Sequence, residues 1–139
     1  MQKVSLQFIR DLKISRAQGL HEIKAASGLV KIENTLYIIA DDDLSLGILS
    51  LEPKGYESLI PLISGELPQN PAERKKIKPD WEAIVKVASP LSEQEGLLVI
   101  PSGSKANRQM GVFVKLNDLQ DSENMKEPQY VDFTPALRV

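Results

Sequence analysis

The chain states one pattern of short apolar runs twice, and this internal echo constrains the fold more than any other feature. The first copy reads Ala25-Ala26-Ser27-Gly28-Leu29-Val30-Lys31-Ile32, then Thr35 to Ala40, then Leu46 to Leu51. The second reads Asp80-Trp81-Glu82-Ala83-Ile84-Val85-Lys86-Val87, then Gly96 to Pro101, then Met110 to Leu116. Runs of this length, rich in β-branched and aliphatic residues, are read as strands. Their recurrence predicts a repeated all-β array.

The turns between the runs fill in the first unit. Glu33-Asn34 is a turn pair, Asp41-Asp42-Asp43 breaks a strand, and Pro53-Lys54-Gly55 is a turn signal. Tyr56 to Ile63 then supplies a fourth strand that ends at Ser64-Gly65. In the linker, Asn70-Pro71-Ala72-Glu73 has the order of a helix start: a capping amide, proline in the first turn and an acid that can reach back. Arg74-Lys75-Lys76 would lie at the negative end of that short helix, and Pro79 closes it. The second unit runs through Trp81–Val87, Leu97–Ile100, Val112–Leu116 and Gln129–Phe133, with longer connections at 88–96, 101–110 and 118–128. Residues 3–14 fit a first strand or a short helix.

The fold expected is all-β, one β-propeller-like region over residues 1–139. It holds about two four-stranded blades, at 22–64 and 80–134, joined by the linker 65–79 with its one short helix. A closed propeller needs roughly four to eight blades. The chain is therefore expected to be the N-terminal part of a longer protein, to complete the array with further copies of itself, or to pack its sheets as a sandwich. The segment Phe133 to Val139 lacks a polar capping stretch, which favours the incomplete or assembling array.

Composition sets outer limits. At 139 residues and 42% hydrophobic the chain can bury a core, and no apolar run approaches the ~20 residues of a membrane span. Seventeen basic against nineteen acidic side chains leave a charge of −2, so no strong field draws nucleic acid or an acidic membrane. Without cysteine there is no disulfide, thiolate nucleophile or thiolate metal site. The first ten residues are interrupted by polar side chains and do not read as a signal peptide, so a cytoplasmic location is expected.

Several segments together are similar to an uncharacterised family of bacterial β-propeller proteins. They are Ala26-Ser27-Gly28-Leu29, Leu36 to Asp43, Leu67-Pro68, Asn70 to Lys75, Lys78 to Ala83, and Pro101-Ser102-Gly103-Ser104 with Arg108 and Gly111-Val112. The resemblance runs from Ala25 to Leu116 and implies the N-terminal part of a longer propeller, with no activity to carry over. Asp80-Trp81-Glu82-Ala83 more distantly resembles the strand starts of phytase-like and lactonase-like propellers, which implies carboxylates binding calcium at the inner ends of blades. The first copy departs from that pattern, with Ser27 standing where Glu82 stands in the second.

The chemistry-bearing residues each have two readings. Asp42 and Asp43, in the densest carboxylate cluster, could contribute to a calcium site, but their spacing fits no EF-hand loop and suits a solvated turn. Glu82, beside Trp81 at the start of an apolar strand, could be a partly buried acid or base, or a structural carboxylate bonded to the neighbouring blade's backbone. Ser102, Ser104 and Arg108 could cradle an anion or form a polar hairpin loop. His21, the sole histidine, lacks the nucleophile elbow that a serine triad would need. Two function classes follow. One is a propeller-type binding or scaffold module; the other is a metal-assisted hydrolase with Glu82, Asp42 and Asp43 as ligands.

Overall fold

A computed structural model describes residues 1–8, 13–16, 19–88, 93–120 and 126–137, apart from the side chains at 13, 15, 16 and 19–21. The two copies of the pattern fold as two four-stranded antiparallel sheets, so the all-β expectation holds. Sheet one comprises β3 (Ala26–Ile32), β4 (Thr35–Ala40), β5 (Ser45–Ser50) and β6 (Glu57–Pro61). Sheet two comprises β7 (Trp81–Ala88), β8 (Glu95–Pro101), β9 (Met110–Lys115) and β10 (Gln129–Asp132). Within each sheet, every strand pairs only with its neighbours in sequence. A hairpin of β1 (Lys13–Arg16) and β2 (Gly19–Glu22) precedes them, while residues 1–8 form neither strand nor helix. The sequence reading of residues 3–14 did not separate this hairpin from what comes before it.

The echo extends to backbone detail. Ala25 and Asp80, each just before the first strand of its sheet, have φ of 53° and 58°. This left-handed region costs a residue bearing a Cβ about 1 kcal/mol or more. Each carbonyl accepts from the N–H that follows the second strand: Asp41 N to Ala25 O at 3.2 Å, and Ser102 N to Asp80 O at 2.9 Å. A bulge follows in both, between Ala26 and Gly28 and between Trp81 and Ala83. Ser27 and Glu82 are therefore the same position, the extra residue of a β-bulge. From there the registers run in step, so that Val30–Tyr37–Ile48–Ser58 in sheet one corresponds to Val85–Leu98–Phe113–Gln129 in sheet two.

The core lies between the sheets. Tyr37, Ile39, Leu46, Ile48, Ile60 and Leu62 of unit one meet Trp81, Ile84, Leu97, Val99, Val112 and Val114 of unit two. These residues alternate along their strands, as one buried face of each sheet requires. The first strands lie closest, β3 against β7. A hydroxyl joins them, the Oγ of Ser27 donating to the Trp81 carbonyl at 2.5 Å. The other face of sheet one is covered by the β1–β2 hairpin, where Ile14 is buried and a Cβ on Gly47 would meet the Ile23 and Ile14 side chains.

The linker helix, α1 (Pro71–Ile77), forms as its sequence predicts. The Asn70 Oδ1 accepts from Ala72 N at 2.9 Å and Glu73 N at 3.2 Å, with Pro71 in the first turn. Two short helices close the chain, α2 (Leu116–Gln120) and α3 (Thr134–Leu137).

Candidate functional site

Five of the six site residues read from the sequence fall at one end of the two sheets, around α1. They lie in the β4–β5 loop and the β8–β9 loop, while the sixth, Glu82, is the second residue of β7. The Arg74 Nε reaches the Asp42 Oδ1 at 2.7 Å, and its other nitrogens donate to the Asp42 carbonyl at 2.7 Å and the Pro68 carbonyl at 3.2 Å. The Lys78 Nζ pairs with the Asp41 Oδ2 at 2.7 Å and with the Asp80 Oδ1 at 3.4 Å. From the other side, Arg108 is 6% exposed and donates to the Asp80 Oδ2 at 3.0 Å, the Ser104 Oγ at 3.1 Å and the Lys75 carbonyl at 2.6 Å. Its Nε is buried without a partner.

This arrangement is a clasp. The last carbonyls of a helix have no partner within the helix and carry its negative end. Here Arg74 O takes the Lys78 N–H at 2.9 Å, Lys75 O takes Arg108, and Lys76 O takes the Asn107 side-chain amide at 2.8 Å. Side chains from α1 and the residue that follows it hold the β4–β5 loop, while its carbonyls hold the β8–β9 loop. One short helix thus joins the loops of the two sheets.

The sequence-read residues divide accordingly. Arg108 and Ser104 meet at Asp80, and Ser102 shares a 2.9 Å hydroxyl contact with Ser104. Asp42 is held by Arg74, and the Asp43 Oδ1 accepts from Ser45 N at 3.0 Å, a local turn bond. Glu82 is exposed on its bulge. The bond to the neighbouring sheet's backbone that was one reading of Glu82 is made instead by Ser27, from the equivalent position. Among the described residues no group of three or more His, Cys, Asp or Glu side chains is placed to hold a metal. His21 lies in β2, with its side chain outside the described residues.

Asp80 and Lys78 were not among the candidate site residues read from the sequence, yet they are the electrostatic centre. Burial by itself would raise the Asp80 carboxyl, but hydrogen bonding from Ser102 and the charges of Arg108 and Lys78 outweigh it and hold it below the ordinary 3.8. Burial would lower Lys78, and its bonds to Asp41 and Asp80 more than reverse this, raising it above 10.5. The two shifts act at opposite ends of the pH scale. A depressed acid stabilises the fold above its unfolded value and loses that contribution as pH falls through its folded value. A raised lysine does so below its unfolded value and loses it as pH climbs through its folded one. The expected result is that wild type exceeds an Asp80→Asn variant in stability by a constant margin near neutrality. The margin shrinks below pH 3.8, as urea denaturation over a pH series would show.

The opposite end of the sheets carries a cleft of about 410 Å³ between the two units. Tyr37 and Tyr56 from unit one and Lys86, Gln94 and Lys115 from unit two line it. Burial, then the neighbouring Tyr56 and Glu33, raise the Tyr37 hydroxyl above its ordinary value, so Tyr37 is a neutral donor there. The sequence offered no signal for this cleft, because its residues are single positions spread over both units. No helix among the described residues is long and apolar enough to cross a membrane.

The model of a family of unknown function, DUF6929, matches residues 22–138, both sheets and the clasp included, and the chain belongs to that family. Comparison with curated proteins and with solved structures returns no match.

Proposed function

We infer that this member of DUF6929 is a non-catalytic scaffold of the β-propeller type, in which successive four-stranded sheets stack face to face and present their ends for binding. The observation that carries the reading is the equivalence of Ser27 and Glu82. Left-handed residue, bulge, carbonyl bond and strand register all recur in step, as successive blades of one repeat would. The clasp favours a structural use for the charged loops, since Asp42, Ser104 and Arg108 are spent on one another's elements. Binding then falls to the cleft at the other end, where phenol, ammonium and amide groups face open space.

Calorimetric titration with calcium, paired with thermal melts with and without chelator, tests this directly. A scaffold gives no saturable heat and no shift. Saturable heat with a raised melting temperature would overturn the reading in favour of a metal-assisted hydrolase using Asp42, Asp43 and Glu82.

A further inference from the structure

The facing sides of the two sheets turn polar at the end away from the clasp. On sheet one the pair Val30–Tyr37 is followed on the same face by Ile32–Thr35, and on sheet two Ile84–Val99 is followed by Lys86–Leu97. Thr35, Tyr37 and Lys86 thus face a gap, the cleft of about 410 Å³. Tyr37 is 6% exposed, and among the described residues its hydroxyl has no hydrogen-bond partner, so the polar tip of a buried ring meets that open space.

The walls are held in place by the fold. The Tyr56 carbonyl accepts from Ser50 N at 3.0 Å and the Asn34 carbonyl from Leu51 N at 2.7 Å, which ties down the side made by unit one. On the other side Leu119 is 3% exposed and anchors α2, setting Asn117 and Gln120 along the cleft.

The lining does not select an ion. Its lysines, Lys86 and Lys115, are matched by Glu33 and Glu95, and Lys86 pairs with Glu95 at 3.1 Å. No net charge is left to draw an anion or a cation. What is left are groups that both donate and accept: the hydroxyls of Thr35 and Tyr37 and the carboxamides of Gln94, Asn117 and Gln120. They match a ligand whose own groups do both, as the hydroxyls of a sugar do. Tyr56 adds an aromatic ring that is 57% exposed, and its electron-rich face suits the weakly positive C–H groups of a sugar ring. A second cleft of about 430 Å³ adjoins the first, with Tyr56 and Gln120 lining both. One ring between two spaces suits two linked sugar units.

We propose that the end of the stack opposite the clasp binds a short neutral oligosaccharide, with Tyr56 as its platform and the Tyr37 hydroxyl and the three carboxamides as its hydrogen-bonding partners. This rests on the reading above that binding falls to the cleft, and it names the ligand class. Calcium titration judges the scaffold reading separately and has no bearing on a sugar signal.

Saturation-transfer NMR of the full chain tests it. The probes are glucose, galactose, mannose and N-acetylglucosamine, then maltose, cellobiose and lactose, with glycine and succinate as charged controls. At least one disaccharide should give saturable transfer and bind several-fold more tightly than the monosaccharides. Tyr56→Ala should abolish that transfer and Tyr37→Phe should weaken binding several-fold, both with unchanged circular dichroism. Should Tyr56→Ala fail to fold, Gln120→Ala decides, since that side chain is exposed. Transfer to no saccharide overturns the proposal. A signal from glycine or succinate would then leave the cleft as a site for another ligand class, and silence from every probe would end the cleft reading too. Monosaccharide binding with no gain from a second unit, or a sugar signal that the variants leave intact, would also refute it.

Discussion

Truncating Arg108 to alanine is expected to destabilise the fold by about 3–5 kcal/mol, the usual range when one partner of a buried pair is removed. The loss is large for what it leaves behind. Asp80 keeps the 3.4 Å contact to Lys78 and the hydroxyls of Ser102 and Ser104 but loses its guanidinium, and the Lys75 carbonyl at the end of α1 loses its donor. Arg108→Lys should recover little, because one ammonium cannot span the Asp80 carboxylate, the Ser104 hydroxyl and the Lys75 carbonyl as a planar guanidinium does. Removing both charges in an Asp80→Ala, Arg108→Ala double variant should cost less than the two single changes summed. Guanidinium denaturation of all four proteins gives the coupling, and strict additivity would mean that the clasp is not a unit.

The second large effect belongs to Trp81. Its side chain is 0% exposed and packs in the layer between the sheets, so Trp81→Ala should cost about 3–5 kcal/mol. For a chain of this size that corresponds to a fall in Tm of roughly 10 °C or more. Trp81→Phe should be far milder. The indole Nε1 is buried with no acceptor, and a phenyl ring removes that unsatisfied donor, worth about 1–3 kcal/mol, while giving up only part of the ring volume. A Phe variant as unstable as the Ala variant, measured by thermal melting, would show that indole shape dominates.

How far the sequence could be read follows from how local each feature is. The eight strands of the two sheets, the Asn70 cap and the Pro79 stop depend on neighbours a few residues away, and each was legible, whereas the β1–β2 hairpin was not. The equivalence of Ser27 with Glu82 was also visible in the alignment of the two copies. Its meaning was not, because a bulge is defined by a partner strand. The site was legible only in part. Ser102, Ser104 and Arg108 read as a polar cradle, but the anion they gather around is Asp80, an internal carboxylate 28 residues from Arg108. Asp42 read as one of a carboxylate cluster, while its guanidinium partner lies 32 residues away. Pairings across such separations are set by how the sheets meet, and nothing in the local pattern encodes them. Glu82 read as partly buried because apolar residues follow it; the bulge turns it outward instead.

The nearest-neighbour pairing of the strands bears on how the chain reaches this state. Every ladder joins strands adjacent in sequence, so each sheet can form without waiting for distant segments, at modest entropic expense. Joining the two is a separate event, and the only tryptophan in the chain sits where they join. Circular dichroism follows the making of the sheets, and Trp81 emission follows their docking. Time-resolved refolding read by both probes would therefore separate the two events within one molecule, with no label added.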